Sequence, residues 1–226
     1  MHERRAAAPE AVIFDLDGVL IDSEPSWNAA KEALVRETGG RWREDAPRVM
    51  MGMSSPEWAA YLRDELGVPM DLDAISGEVV RRMMEGYRRE LPLLPGAEKA
   101  VRALAARWPL GLASSSNREV IDLVLELSGF ADCFRVAVSS EEVERGKPAP
   151  DVYLAVAGAL GADPMRCVAA EDSSNGLRAA AAARMPVIAV PNPHYPPSAD
   201  ALALAAATVE VVGEITPQLV EQAFGA

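Results

Sequence analysis

Ala11-Val12-Ile13-Phe14-Asp15-Leu16-Asp17-Gly18-Val19 decides the reading of this chain. Four consecutive apolar residues give way to two aspartates spaced two apart and then to glycine. An unbroken apolar run of that length is the pattern of a strand buried on both faces, as in a parallel sheet covered by helices. In open sheets of that kind, ligands bind beyond the carboxyl ends of the strands, which is where the two carboxylates fall. Aspartate and glycine are also ordinary turn residues, so the pair gains meaning only from what stands at the other strand ends.

Further along, short apolar runs recur at Leu110–Ser114, Val136–Ser139, Cys167–Glu171 and Val187–Val190, with a weaker one near Thr208–Val212. Helical patterns lie between them, at Glu98–Arg107, Glu119–Ser128, Pro150–Leu160 and Gly176–Ala183. Strands alternating with helices predict an α/β protein with a parallel sheet. The alternation breaks between about Ser26 and Glu90, where Trp27–Thr38, Pro56–Leu66 and Ala74–Arg89 read as helices and no strand is evident. Pro92-Leu93-Leu94-Pro95-Gly96 then reads as a linker back to the sheet. The expected organisation is a core of residues 1–25 and 92–226 with a helical insertion over 26–91. The alanine-rich stretch Ala199–Ala207 is expected to be helix.

Composition narrows the function. The net charge is −12 over 226 residues and the cations are scattered, so no basic surface for nucleic acid is expected. No stretch of eighteen apolar residues appears and the amino terminus does not read as a signal peptide, so neither a membrane span nor export is expected. Cys133 and Cys167 form no CxxC pair and read as reduced thiols of a cytoplasmic protein. No protein partner is indicated.

The chemistry assembles from four strand ends. A carboxylate that attacks phosphorus forms a labile acyl phosphate, and a second carboxylate nearby can protonate the leaving oxygen and later deprotonate water. Asp15 is the candidate nucleophile and Asp17 the candidate acid/base. Ser114-Ser115-Ser116-Asn117 offers hydroxyls and free N–H groups at a helix start, which suit a phosphoryl group as well as a cap, with Ser114 and Ser115 the candidates. Gly146-Lys147-Pro148-Ala149-Pro150-Asp151 holds Lys147 on an extended segment before a helix, as a point charge for phosphate and for Asp15. Glu171-Asp172-Ser173 closes another strand with adjacent acids. With Asp15 and Asp17 they supply the oxygen ligands that Mg²⁺ takes, and a cation would relieve the repulsion that otherwise makes crowded carboxylates hold protons.

Asp15-Leu16-Asp17-Gly18-Val19, Ser114, Lys147 and Glu171-Asp172, in this order, resemble the four motifs of haloacid-dehalogenase-like hydrolases. The helical insertion after the first motif resembles the cap of the subfamily that includes β-phosphoglucomutase and the bacterial 2-deoxyglucose-6-phosphate and hexitol phosphatases. Ile21-Asp22-Ser23-Glu24-Pro25-Ser26-Trp27, Leu94-Pro95-Gly96, Cys167-Val168-Ala169 and Ala183-Arg184-Met185 carry that closer likeness.

The resemblance implies a Rossmann-like parallel sheet core with a small all-helical cap inserted after the first strand, a mobile cap, Mg²⁺ and an aspartyl-phosphate. It implies Asp15 as nucleophile and metal ligand, Asp17 as acid/base with its backbone carbonyl on the metal, Asp172 as a carboxylate ligand and Glu171 as a further helper. Ser114 and Lys147 would bind phosphate. An acid at Asp17 disfavours dehalogenation. Trp27 and Ser55 stand where β-phosphoglucomutase carries basic groups, so water is the expected acceptor.

The expected activity is hydrolysis of a small phosphorylated substrate, a sugar or sugar-alcohol phosphate. A phosphomutase is the alternative, and a non-catalytic binding protein on the same scaffold a weaker one. Within the cap, Gly52, Met53 and Ser54 are the candidate specificity loop. Met50, Met51, Met53, Trp58 and Trp27 read chiefly as packing, and His2 and His194 as loop or terminal residues.

Overall fold

The structure is a computed structural model that describes residues 8–50, 53, 55–193 and 195–226. His2, Met51, Gly52, Ser54 and His194 lie outside the described residues, so the expectations placed on them have no structural counterpart.

Six strands form one parallel sheet in the order β3-β2-β1-β4-β5-β6. They are β1 (Ala11–Phe14), β2 (Leu110–Ser114), β3 (Phe134–Ser139), β4 (Cys167–Glu171), β5 (Val187–Ala189) and β6 (Ala207–Thr208). Every residue of β1, β2, β4 and β5 is buried, as continuous apolar runs in a doubly covered sheet require. The chain builds outward from β1 through β2 to β3, then crosses back to β4 and builds the other way. That reversal puts the topological switch point between β1 and β4, the place where such sheets bind ligands.

The element pattern agrees with the expected α/β fold, and two local differences have physical causes. The alanine-rich segment is helical only over Ala199–Leu202. Beyond it, Ala206 N–H donates to the Val187 carbonyl at 2.9 Å and Val209 N–H to the Ala189 carbonyl at 2.9 Å. Edge pairing with β5 overrides alanine's helix preference there. The sixth strand accordingly lies at Ala207–Thr208, earlier than expected, and is followed by a 3₁₀ turn at Val212–Glu214.

The helices of this unit are Ala97–Ala105, Arg118–Leu127, Asp151–Leu160, Ser174–Ala182, Ala199–Leu202 and Pro217–Phe224. On one face of the sheet, Val152, Tyr153 and Val156 of Asp151–Leu160 and Leu177 and Ala180 of Ser174–Ala182 pack with Ile13, Ala169 and Val187. The amphipathic spacing of those helices sets this face.

The chain divides into two compact units: one runs up to Asp22 and resumes at Pro92, the other is Ser23–Leu91. The second unit opens three residues before the expected residue 26, because its first helix already begins at Glu24 with Pro25 in the first turn. Its helices are, in chain order, α1 (Glu24–Glu37), α2 (Ala46–Met50), α3 (Ser55–Asp64) and α4 (Leu72–Arg89), with no strand among the described residues. Apolar Ile75, Val79, Val80, Met83 and Tyr87 give α4 its buried stripe, and Asp71 caps it by accepting from Ala74 N–H at 2.8 Å. Arg82 ties α4 to α1 through Glu37 at 2.6 Å. In the first unit, the two chain crossings run side by side: Asp22 N–H donates to the Pro92 carbonyl at 2.8 Å and Leu94 N–H to the Leu20 carbonyl at 2.9 Å.

Candidate active site

The β1–β4 register sets Phe14 beside Ala170, and Asp15 N–H donates to the Ala170 carbonyl at 3.0 Å. The next residue on each strand is an acid, so Asp15 and Glu171 emerge together at the switch point. Asp15 is 6% exposed and Glu171 fully buried. Lys147 reaches both from the loop after β3, with Nζ 2.9 Å from Asp15 Oδ1 and 2.6 Å from Glu171 Oε1. Its peptide bond to Pro148 is cis. Burial works against the Lys147 charge, yet the flanking Asp15 and Glu171 carboxylates outweigh it and hold the ammonium above its ordinary range.

Glu171 is saturated with donors. Oε1 accepts from Lys147 and from the Tyr153 hydroxyl at 3.0 Å. Oε2 accepts from Asp172 N–H at 3.0 Å, Ser173 N–H at 3.1 Å and the Ser173 hydroxyl at 3.2 Å. Five donors on one buried carboxylate compensate for its desolvation.

Asp15 Oδ1, by contrast, has an ion pair whose alignment leaves it without a directed hydrogen bond, and Asp17 Oδ1 is likewise buried and unpartnered. A buried carboxylate oxygen without a partner, as at Asp17 Oδ1, calls for a donor or a cation. Oxygens of Asp15, Glu171 and Asp172 lie within 4.8 Å of one another. Burial, followed by repulsion from Glu171, raises the Asp15 carboxyl well above its usual range, with Lys147 opposing. Asp172 is raised for the same two leading reasons. A hard-oxygen donor set with spare lone pairs and excess negative charge fits a divalent cation such as Mg²⁺.

Gly18 makes the cluster possible. Its φ is +74°, and a Cβ there would stand 2.0 Å from Asp172 Oδ2. Only glycine allows both the left-handed turn and that approach.

Asp17 sits two residues past Asp15, and its Oδ2 accepts from the Ser116 hydroxyl at 2.7 Å and more weakly from Ser114 at 3.3 Å. Ser114, expected as a phosphate-binding residue, stands beside Asp17. The Ser115 side chain is exposed and is not brought to this pair. The chain bends after β2, where Ser116 N–H donates back to Ser114 Oγ at 3.0 Å, and this turn buries Ser116 beside Ser114 and leaves Ser115 exposed. The run of three serines gave no reason in the sequence to choose Ser116. Ser173, a candidate cap from the sequence, does cap the helix after β4 by accepting from Gly176 N–H at 3.0 Å, whereas Tyr153 escaped sequence reasoning. Tyr153 reads as a core aromatic, and only its buried hydroxyl, which needs a partner, hinted at more.

The match to known proteins follows this geometry. Residues 9–184 match the family model described as haloacid dehalogenase-like hydrolase. The chain belongs to that family.

The family match spans both units and all four strand-end motifs, and agrees with the expectation of a phosphoric monoester hydrolase. This haloacid-dehalogenase-like hydrolase is 38% identical over 189 residues to hexitol phosphatase B of Escherichia coli (strain K12), covering 81% of this chain and 84% of that one. Among solved structures it resembles CbbY from Rhodobacter sphaeroides in complex with phosphate, with a TM-score of 0.83 and 26% identity over 94% of this chain and 99% of that one. It also resembles a candidate β-phosphoglucomutase from Thermotoga maritima, with a TM-score of 0.76 and 31% identity over 93% and 98% of the two chains. Among the described residues, no helix is long and apolar enough to cross a membrane.

Proposed function

We propose that this hydrolase removes phosphate from a small phosphomonoester, a sugar or sugar-alcohol phosphate, through a phosphorylated Asp15. The observation that carries the reading is the Asp15 carboxylate itself: a strand-end oxygen 2.9 Å from a buried ammonium and without a directed hydrogen bond. The likeness to hexitol phosphatase B supports the sugar-alcohol class.

Asp15 attacks phosphorus as the bond to the leaving oxygen breaks, and Asp17 gives that oxygen its proton. In the second step water attacks the phosphoryl group, Asp17 takes the water's proton, and the bond to Asp15 breaks to release phosphate and restore the carboxylate. Lys147 supplies fixed positive charge beside the transferring group, and the Ser114 hydroxyl is a donor to it. Asp15 and Asp172 would hold Mg²⁺, with the Asp17 backbone carbonyl; the five protein donors on Glu171 support a role in fixing Lys147 more than in binding metal. When bound, the metal would neutralise charge on the phosphoryl oxygens. A cytoplasmic setting is supported by Cys133 and Cys167, both free thiols.

The test is phosphate release over a panel of hexose, hexitol and nucleotide monophosphates with Mg²⁺, together with hydroxylamine trapping of the acyl phosphate. Asp15→Asn is expected to abolish both turnover and trapping. Full phosphatase activity in Asp15→Asn would end the proposal. The mutase reading, favoured by the likeness to the candidate β-phosphoglucomutase, requires isomerisation primed by a sugar bisphosphate without net phosphate release.

A further inference from the structure

We propose that Ser116 is the positioning residue for the acid/base Asp17, anchoring one carboxylate oxygen so that the other faces the reaction. The inference rests on the reading of Asp17 given above and extends it to a residue outside the four strand-end motifs.

The two oxygens of Asp17 differ sharply. Oδ2 takes a 2.7 Å hydrogen bond from the Ser116 hydroxyl, while Ser114 reaches it only at 3.3 Å. Oδ1 is buried and has no hydrogen-bond partner. A carboxyl group on a short side chain turns freely about its Cβ–Cγ bond unless one oxygen is held. A proton donor that turns freely spends most of its time misaligned with the leaving oxygen, and misplacement by about 1 Å can cost about 10²-fold in rate. One oxygen anchored and one left free is the arrangement a directed proton transfer needs.

Ser116 is itself held from two further strands' ends. Its N–H donates to Ser114 Oγ at 3.0 Å. Its carbonyl accepts from the Ser139 hydroxyl at 2.7 Å. Ser139 is fully buried at the end of β3 and accepts from Glu141 N–H at 3.2 Å. The loop after β1 is thus linked through the end of β2 to the end of β3. Ser116 is not spent on capping: the helix Arg118–Leu127 starts from Asn117, with no side-chain cap hydrogen bond. Ser116 is 5% exposed, so its hydroxyl has given up water for this contact.

The reading separates from a merely structural role through the leaving group. An activated aryl phosphate departs without protonation, whereas an alkyl phosphate needs it. The experiment measures kcat/KM, which reports the phosphoryl transfer to Asp15, for monoesters running from p-nitrophenyl to alkyl phosphate on the Mg²⁺-loaded enzyme. Ser116→Ala is expected to lose about 10- to 100-fold on the alkyl esters and less than about threefold on p-nitrophenyl phosphate. Ser116→Thr, which keeps the hydroxyl, should recover most of the loss. An equal loss across the series, or none, overturns the assignment. Asp17→Asn run beside them separates the two readings: if it shows the tilt toward alkyl esters and Ser116→Ala does not, only the Ser116 assignment fails. If Asp17→Asn shows no tilt, the acid/base reading fails and takes Ser116 with it. Should melting show that Ser116→Ala does not fold, Ser116→Cys keeps the side-chain shape with a weaker donor, and an absent tilt there is equally decisive.

Discussion

The carboxyl group of Glu171 occupies the space where a side chain at Gly176 would begin. A Cβ on Gly176 would stand 1.7 Å from Glu171 Oε1 and 1.8 Å from its carboxyl carbon. The helix that follows β4 therefore tolerates only glycine where it passes the acid that grips Lys147. Gly176→Ala must push Glu171 aside and loosen its five hydrogen bonds. We expect a loss of about 1–3 kcal/mol in stability from overpacking and about 10²-fold in kcat/KM from the displaced Lys147. Urea unfolding and steady-state kinetics check both, and a fully active Gly176→Ala would show that Glu171 does not position the lysine.

Tyr153 predicts a milder version of the same effect. Its hydroxyl donates to Glu171 Oε1 at 3.0 Å and its ring lies 5.2 Å from Lys147 Nζ. Tyr153→Phe keeps the ring but leaves one buried lone pair of a charged group without its donor, at a cost of about 1–3 kcal/mol. Because Lys147 still satisfies that oxygen, activity should fall by less than in Gly176→Ala. A comparison of the two variants at one substrate concentration series decides the order.

Metal should bind with release of protons. Burial and then repulsion from Glu171 raise both Asp15 and Asp172, and a carboxyl must be ionised to hold a cation. Mg²⁺ affinity is therefore expected to weaken as pH falls, and chelation to abolish activity reversibly. At a hundredfold excess over its Kd, Mg²⁺ should add about 2.7 kcal/mol of stability. Thermal melts with and without Mg²⁺ at several pH values test this, and a pH-independent affinity would contradict it. Asp172→Ala should remove most of the increment.

A different pH dependence belongs to the helical unit. Lys31 is buried on α1, its Nζ 5.5 Å from the Trp27 ring and 5.0 Å from the Trp58 ring. Burial lowers its ammonium to about 8, with Glu24 opposing the shift. Below pH 8 the folded unit bears the full cost of a buried charge. Between pH 8 and about 10.4, lysine's ordinary value, the folded protein has shed a proton that the unfolded chain still carries. Stability therefore rises with pH across that window. Lys31→Met should raise the urea midpoint at neutral pH and flatten this rise, with a gain of roughly 1–3 kcal/mol. Tryptophan fluorescence follows the transition, since both indoles flank the site, and an unchanged pH slope in Lys31→Met would refute the assignment.

The strands were legible because each is a local event. A run such as Ala11–Phe14 or Cys167–Ala170 is apolar throughout, and no other element buries it on all sides. Asp15 and Glu171-Asp172 were legible for a related reason: a charged residue at the end of a buried strand is conspicuous in one dimension, whereas Lys147 was marked by the prolines that follow it. The chain past Leu202 was not legible, because alanine favours helix in isolation and the competing hydrogen bonds come from β5, well upstream.

What the amino-acid order determined alone is the class of protein: an α/β sheet of the hydrolase family with two aspartates after the first strand, a lysine in a later loop and a further pair of acids. What only tertiary structure decided is how those groups hold one another. Register between β1 and β4 sets Asp15 beside Glu171, and the turn of each side chain gives Asp17 to Ser116 while Ser115 points to solvent. Gly176 acquires its meaning only where the Glu171 carboxyl fills the space of its missing Cβ. A sequence states which donors and acceptors exist. Their pairing depends on distances between segments far apart in the chain, and those are set by packing.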